Sequence, residues 1–168
     1  MRLVIIGAGG YGRTVADVAN QMGCYEEILF LDDKSEDAVG KCEEFTLFAD
    51  QKTVFYPAFG NNEFRLQWLD RLEKSGCAVA NVVSPNAYIS PTVNLDYGVV
   101  VLPGAIVNTN TKVGRGCIIN CGSIIDHDCI LGEAVHVCLG AIIKAENNIP
   151  AFLKIEAGQI IHNRTYPL

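Results

Sequence analysis

The stretch IIDHDC sets His127 between Asp126 and Asp128, in a segment otherwise built from small and aliphatic residues. An imidazole titrates near ~6.5, so it can take a proton at neutral pH, and a neighbouring carboxylate fixes its tautomer and raises its basicity. Histidine beside aspartate is therefore the pattern of a general base with an orienting acid. Asn120 stands seven residues earlier and His136 nine later. The competing interpretation is a solvated histidine on a turn, and the local pattern alone does not choose between them.

A second candidate constellation lies near the N-terminus. GAGGYG, residues 7–12, follows the apolar run RLVII and opens a helical pattern, satisfying G-x-G-x-x-G through Gly7, Gly9 and Gly12. Glycines there permit a tight turn and let a phosphate approach a helix N-terminus; the competing interpretation is a turn that simply needs glycine. Asp32 and Asp33 end the next apolar run, about where an acidic group meets a ribose hydroxyl. FGNNEFR adds Gly60, Asn61 and Asn62; Asn61 is either a helix N-cap or half of a ligand-facing amide pair.

These groups need two kinds of scaffold. Over the first 80 or so residues strand and helix patterns alternate, as in a small parallel α/β unit. RLVII, EILFLDD, TVFYPAF and CAVANVV read as strands, and Pro57 marks the third as an edge or an irregularity. YGRTVADVANQM and NEFRLQWLDRLEKSG read as helices, the second burying Phe64, Leu66, Leu69 and Leu72 and stopping at Gly76. From Ala87 the period changes. Every sixth residue from Ile89 to Ile155 is Ile, Leu or Val, twelve in succession. Three such hexads make one triangular coil of a parallel β-helix, with the aliphatics pointing inward, and residues 87–158 supply about four coils. A solenoid of this kind buries little per coil and needs its faces and end covered. Side-by-side packing into a trimer would cover the faces, and QIIHNRTYPL is positioned to cap the end. On this scaffold His127, two residues past the inward Ile125, projects from a corner. The organisation is residues 1–84, Rossmann-like, then residues 85–168, β-helical.

The whole chain narrows the choice of partners. Thirteen basic against nineteen acidic residues give a net charge of −6 without a basic stripe, which argues against nucleic acid. No apolar run approaches the ~18 residues of a membrane span, and Met1-Arg2 leads straight into a strand pattern, so a cytoplasmic protein is expected. Seven cysteines without a C-x-x-C pair suit neither zinc nor a disulfide framework, and no metal is expected. Cys117, Cys121, Cys129 and Cys138 read as small packing residues. A nicotinamide-dependent oxidoreductase is poorly served, because only half a dinucleotide fold is present.

Taken together, GAGGYG, FLDD, GNNEFR, SPNAYISPTV and the spaced set from Asn120 through His127-Asp128 to GEAVHVCLGA resemble the bacterial sugar acetyltransferases of the sialic acid O-acetyltransferase and bacillosamine N-acetyltransferase type. The resemblance covers nearly the whole chain. It implies a left-handed parallel β-helix behind the Rossmann-like unit, acetyl-CoA as co-substrate along the coils of a homotrimer, and direct transfer to the amine or hydroxyl of a nucleotide-linked sugar. It implies that His127 is the base, Asp128 its orienting acid, and Asn120 a supporting residue. His136, Gly140 and Ala145 would contact the cofactor; Gly9 to Gly12, Asp32, Asp33 and Gly60 to Asn62 would surround the sugar nucleotide. Tyr11 replaces a histidine of the bacillosamine enzymes, Ala145-Glu146 stands where they carry a glycine, and the solenoid is about two coils shorter than in most relatives. A non-catalytic sugar-nucleotide-binding relative would share these features.

Overall fold

A computed structural model describes residues 1–167. Four parallel strands form the first sheet: β1 (Arg2–Ile6), β2 (Glu27–Leu31), β3 (Thr53–Pro57) and β4 (Ala78–Val79), in the order β2-β1-β3-β4. Residues of β1 alternate between the two faces of this sheet. Leu3 and Ile5 pack with Val15, Val18 and Ala19 of helix α1 (Gly10–Met22). Val4 and Ile6 pack on the other side with Trp68 and Leu72 of helix α2 (Asn62–Lys74) and with Phe45 of a 3-10 helix at Cys42–Phe48.

Two strand expectations change. Pro57 does not mark an edge, since β3 lies between β1 and β4. It ends β3 opposite Ile6, while β4 pairs only Val54 and Phe55, so its missing N–H faces a position no strand occupies. CAVANVV is not one strand. Ala78–Val79 closes the first sheet, whereas Val82–Val83 pairs with Val100–Val101 and starts the coils.

From Val82 to Ile161 the described residues form fourteen two-residue strands, each six residues after the last. Each pairs in parallel with the strand eighteen residues away, giving the three stacked faces of a left-handed parallel β-helix. The second residue of every strand turns inward: the twelve expected aliphatics, with Val83 and Ile161 extending the series at both ends. Ile160–Ile161 thus continues the repeat, and the cap is shorter than expected. Tyr166 packs half-buried on the core, accepting at its carbonyl from the Asn148 N–H at 2.6 Å.

The outward residues give each face its character. Val82, Val100 and Ile118 are buried against α1 and β1, so this face is docked on the α/β unit, and His136 and Lys154 continue it. Tyr88, Ile106, Ile124, Ile142 and Ile160 form a partly exposed aliphatic face. Asn94, Lys112, Ile130 and Asn148 make the third face polar.

At the corners the chain turns through left-handed residues, again in columns of eighteen. Gly104, Gly122, Gly140 and Gly158 line the corner between docked and aliphatic faces; Asn110, Asp128, Glu146 and Arg164 the corner between aliphatic and polar; Gly98, Gly116, Ala134 and Phe152 the corner between polar and docked. Most of them donate their N–H to a carbonyl one coil back, as Asp128 does to Thr109 and Gly140 to Cys121, while Asn110 donates to the Thr92 hydroxyl. The cysteines behave as packing residues: the Cys117 thiol donates to the Gly132 carbonyl at 3.1 Å and the Cys129 thiol to the Lys144 carbonyl at 3.4 Å. No helix among the described residues is long and apolar enough to cross a membrane.

Two glycines separate steric from conformational need. A Cβ on Gly132 would stand 2.5 Å from the Ala151 backbone nitrogen, whereas one on Gly158 meets nothing within 4 Å but carries φ of 69°. Gly132→Ala is expected to cost ~3 kcal/mol by overpacking and Gly158→Ala ~1 kcal/mol by left-handed strain. Thermal melts comparing the two variants check the order.

Candidate active site

His127 stands on the corner between the aliphatic and polar faces. Its Nδ1 lies 2.7 Å from Asp128 Oδ2. An ionised carboxylate only accepts, so Nδ1 carries the proton and Nε2 presents its lone pair on an exposed edge. Asp128 can reach the ring of the residue before it because it is the left-handed corner residue, φ 56°, a conformation aspartate tolerates. Asn110, one coil back, donates to Asp128 Oδ1 at 3.2 Å, and Asp126 Oδ1 accepts the His127 N–H at 2.8 Å. The hydrogen bond to Asp128 raises the His127 pKa above its ordinary 6.5, and the same bond lowers that of Asp128 below 3.8. The sign for His127 is that protonation is favoured in the fold. Its stabilising contribution is full below 6.5 and fades as pH rises through the raised value; that of Asp128 fades as pH falls through the lowered one.

Asn120 and His136 do not join His127 within one chain. Nine residues is half a coil, so His136 lies on the docked face and Asn120 at the next corner. They pair with each other, Asn120 Nδ2 to His136 Nε2 at 3.3 Å. The Asn120 Oδ1 already accepts the Cys121 N–H at 2.8 Å, which orients the amide with its NH2 toward the ring. His136 Nε2 is thereby the acceptor, and Nδ1 is buried without a partner among the described residues. Burial first, then the charges of Arg65 and Lys154, push the His136 pKa down to about 4. Gly140 sits on the same corner as Asn120 with no atom within 4 Å of where a Cβ would stand. Ala145 stacks one coil beyond His127 but is 3% exposed, so it offers almost no surface to a ligand within one chain.

The α/β unit holds a separate cleft of about 480 Å³. Asp32 and Asp33 border it at the end of β2, with Phe59, Phe64, Trp68 and Arg71 across from them. Phe64 was expected in the core; its ring instead lies against Phe59 at 4.6 Å and is 45% exposed at the cleft. Arg71 stacks over Trp68 at 4.7 Å and forks onto Glu43. The aromatic lining was not singled out in the sequence, although Phe64 and Trp68 are one helical turn apart. Asp32 ties the cleft to the glycine loop: one oxygen accepts the Ala8 N–H at 2.8 Å and the other those of Lys34 and Ser35, which lowers its pKa. Gly9 caps α1 and, with Gly10, leaves open space at the helix N-terminus. Gly12 is fixed by sterics, since its Cβ would stand 2.0 Å from the Gly7 oxygen.

The other sequence candidates have internal tasks. Tyr11 turns its hydroxyl to that of Tyr56 at 2.7 Å. Asn61 caps α2 by accepting the Phe64 N–H at 2.9 Å. Asn62 is spanned between Arg65, which donates to its Oδ1, and the Phe152 carbonyl, which accepts from its Nδ2, both at 2.9 Å. Gly60 is exposed in open space.

Comparison with known proteins fits this architecture. Residues 2–72 match the family model described as the PglD N-terminal domain. The acetyltransferase domain of PglB from Neisseria gonorrhoeae, in complex with acetyl coenzyme A, is 30% identical with a TM-score of 0.95, over 97% of this chain and 82% of that one. The chain belongs to the hexapeptide-repeat sugar acetyltransferase family. A mutant of perosamine N-acetyltransferase from Caulobacter crescentus, in complex with CoA and GDP-perosamine, is 26% identical with a TM-score of 0.84, over 97% of this chain and 89% of that one. WeeI from Acinetobacter baumannii shares the fold at 23% identity and a TM-score of 0.73, over 95% and 88%. Within this family setting the His127–Asp128 pair yields a direct expectation. In 1H–15N NMR the His127 ring should titrate above 6.5, and Asp128→Asn, which keeps a residue tolerant of left-handed φ, should bring the midpoint down. An unmoved midpoint would show that Asp128 does not act on the ring.

Proposed function

We propose that this chain is an acetyl-CoA-dependent N-acetyltransferase acting on the amine of a nucleotide-linked sugar, with His127 as general base. The observation that carries this reading is the His127–Asp128 pair, 2.7 Å apart, with Nε2 exposed beside an uncovered aliphatic face. The relatives with acetyl-CoA, CoA and GDP-perosamine support the two substrate classes.

The working unit is a homotrimer. Turning the aliphatic face of each copy toward a threefold axis removes Tyr88, Ile106, Ile124, Ile142 and Ile160 from water. That face is flanked by the His127 corner on one side and the Asn120–Gly140 corner on the other. Cyclic packing therefore brings His127 of one copy toward Asn120, His136 and Gly140 of the next. The acetyl-CoA arm fits this groove because the glycine column leaves it bare: Gly122, Gly140 and Gly158 each have nothing within 4 Å of a Cβ position. Residues 1–84 serve the nucleotide. The base stacks in the cleft on Phe59, Phe64 and Trp68, Asp32 and Asp33 meet the ribose, and the diphosphate faces Gly9 and Gly10 at the α1 N-terminus. Bound acetyl-CoA supplies the thioester. The sugar amine attacks its carbonyl, the C–S bond breaks, CoA leaves as the thiolate, and His127 Nε2 takes the amine proton. Seven free thiols support a cytoplasmic setting.

Assayed with acetyl-CoA against UDP- and GDP-linked amino sugars, the wild type is expected to transfer acetyl. His127→Ala should lose ~10²–10⁴-fold in kcat with unchanged circular dichroism. Because the base must be neutral, kcat/KM should rise with pH through an ionisation above 6.5. Full turnover by His127→Ala would contradict the assignment. Light scattering should give a trimer, and Ile124→Arg, which places a charge on the aliphatic face, should give monomers.

A further inference from the structure

Arg65 is the largest fully buried side chain of the molecule, at 0% exposure, and it has no carboxylate partner among the described residues. Its donors go to neutral acceptors on two sides. Nη1 donates to the Phe59 carbonyl at 2.9 Å, in the loop after β3, and Nη2 to Asn62 Oδ1 at 2.9 Å, at the start of α2. Nε donates to the Gly116 carbonyl at 2.6 Å and Nη2 to the Ala134 carbonyl at 3.1 Å, both on the coils. Asn62 completes the row by donating to the Phe152 carbonyl. Gly116, Ala134 and Phe152 are successive left-handed residues of one corner column. The first turn of α2 is therefore bolted to three consecutive coils, at the point where Leu69 also packs against Gly98 and Gly116.

We propose that Arg65 is a positioning residue for acetyl transfer: it fixes the cleft-bearing unit against the coils, and its unpaired charge acts on His136 at the seam. The proposal rests on the function given above for its catalytic half only. Salt bridges cancel a charge by pairing it, whereas this guanidinium is solvated by neutral dipoles and keeps its net positive charge at the seam. Arg65 donates to the Ala134 carbonyl two residues before His136, and Lys154 pairs with His136 in register on the next coil, where Glu156 bridges to it at 3.2 Å. Burial above all, and then two cations against one carboxylate, disfavour an imidazolium there, and the NH2 of Asn120 gives its Nε2 no acceptor. His136 is consequently neutral throughout the working pH range and can only exchange hydrogen bonds, not protons. Arginine is required for the clamp because its fork serves four acceptors in fixed directions, which a lysine ammonium cannot.

Two variants separate the clamp from the charge. Arg65→Lys keeps the cation and loses most of the fork. It should lower kcat at least tenfold at a temperature where the variant is folded, with the separate Kd values for acetyl-CoA and the nucleotide sugar within about twofold of wild type. Arg65→Met loses both. It should lower kcat as far and also raise the His136 NMR midpoint by about one pH unit. The titration is read without substrate, so a protein that transfers no acetyl would overturn the functional reading and leave this half of the test standing. A folded Arg65→Lys with wild-type kcat, an unmoved His136 midpoint in Arg65→Met, or a wild-type His136 that titrates above pH 6 would overturn the proposal. The last measurement needs no variant to fold.

Discussion

Each coil closes after eighteen residues, and the rest of the molecule depends on that closure. Hydrogen bonds between strands eighteen apart, such as Ile118–Ile119 with His136–Val137, leave no freedom to slide, because a shift by one residue would turn every inward aliphatic outward. Side chains therefore fall into vertical columns, and each column acquires one role. The glycine column leaves a bare strip, the Asn110–Asp128–Glu146 column supplies the acid that holds His127, and the Gly116–Ala134–Phe152 column presents carbonyls to Arg65 and Asn62. Corner conformation and function are linked at Asp128 in particular. The same left-handed φ that turns the chain swings its carboxylate back onto the preceding ring.

The docked face shows how one repeat can serve two cores. Val101 and Ile119 point into the coil, while their neighbours Val100 and Ile118 are equally buried but belong to the core of the α/β unit, with Leu3, Ile5 and Val15. The two units share an apolar interface with a polar seam at its edge. Arg65, His136 and Asn120 occupy that seam, and the hydrogen bonds of Arg65 and Asn62 to the coils set how far the cleft stands from the corner that carries Gly140.

Most of the fold was legible in the sequence because its signals are periodic. The hexad aliphatics have one physical role and recur without a break, and the glycine loop between strand and helix has few other uses. The His127–Asp128 contact was legible as an interruption of that pattern, because the aliphatic repeat calls for no histidine between two aspartates. What was not legible depends on partners distant in sequence. Arg65 on a helix with five further charged residues, Glu63, Asp70, Arg71, Glu73 and Lys74, reads as solvated, and only the carbonyls of Gly116 and Ala134 explain its burial. Asn61 and Asn62 look alike in sequence, yet one caps a helix and the other ties the two units together. Phe64 reads as core by its type, while the cleft it borders exists only because the 3-10 helix at Cys42–Phe48 stands opposite. The separation of His127 from Asn120 and His136 follows from counting hexads, but which corner would meet a neighbouring copy in the proposed trimer depends on the aliphatic face, whose outward residues are nearly as apolar as its inward ones.

The central claim is that acetyl transfer uses His127 of one copy and the Asn120–His136 corner of the next. Co-expression of His127→Ala with Asn120→Ala/His136→Ala, each bearing a different tag and purified through both, isolates mixed trimers of two inactive chains. In a cyclic trimer every such mixture contains one site with both halves intact, so activity should return to about one-third of wild type. Mixed trimers as inactive as either parent would contradict a shared site and return the whole of the chemistry to a single chain.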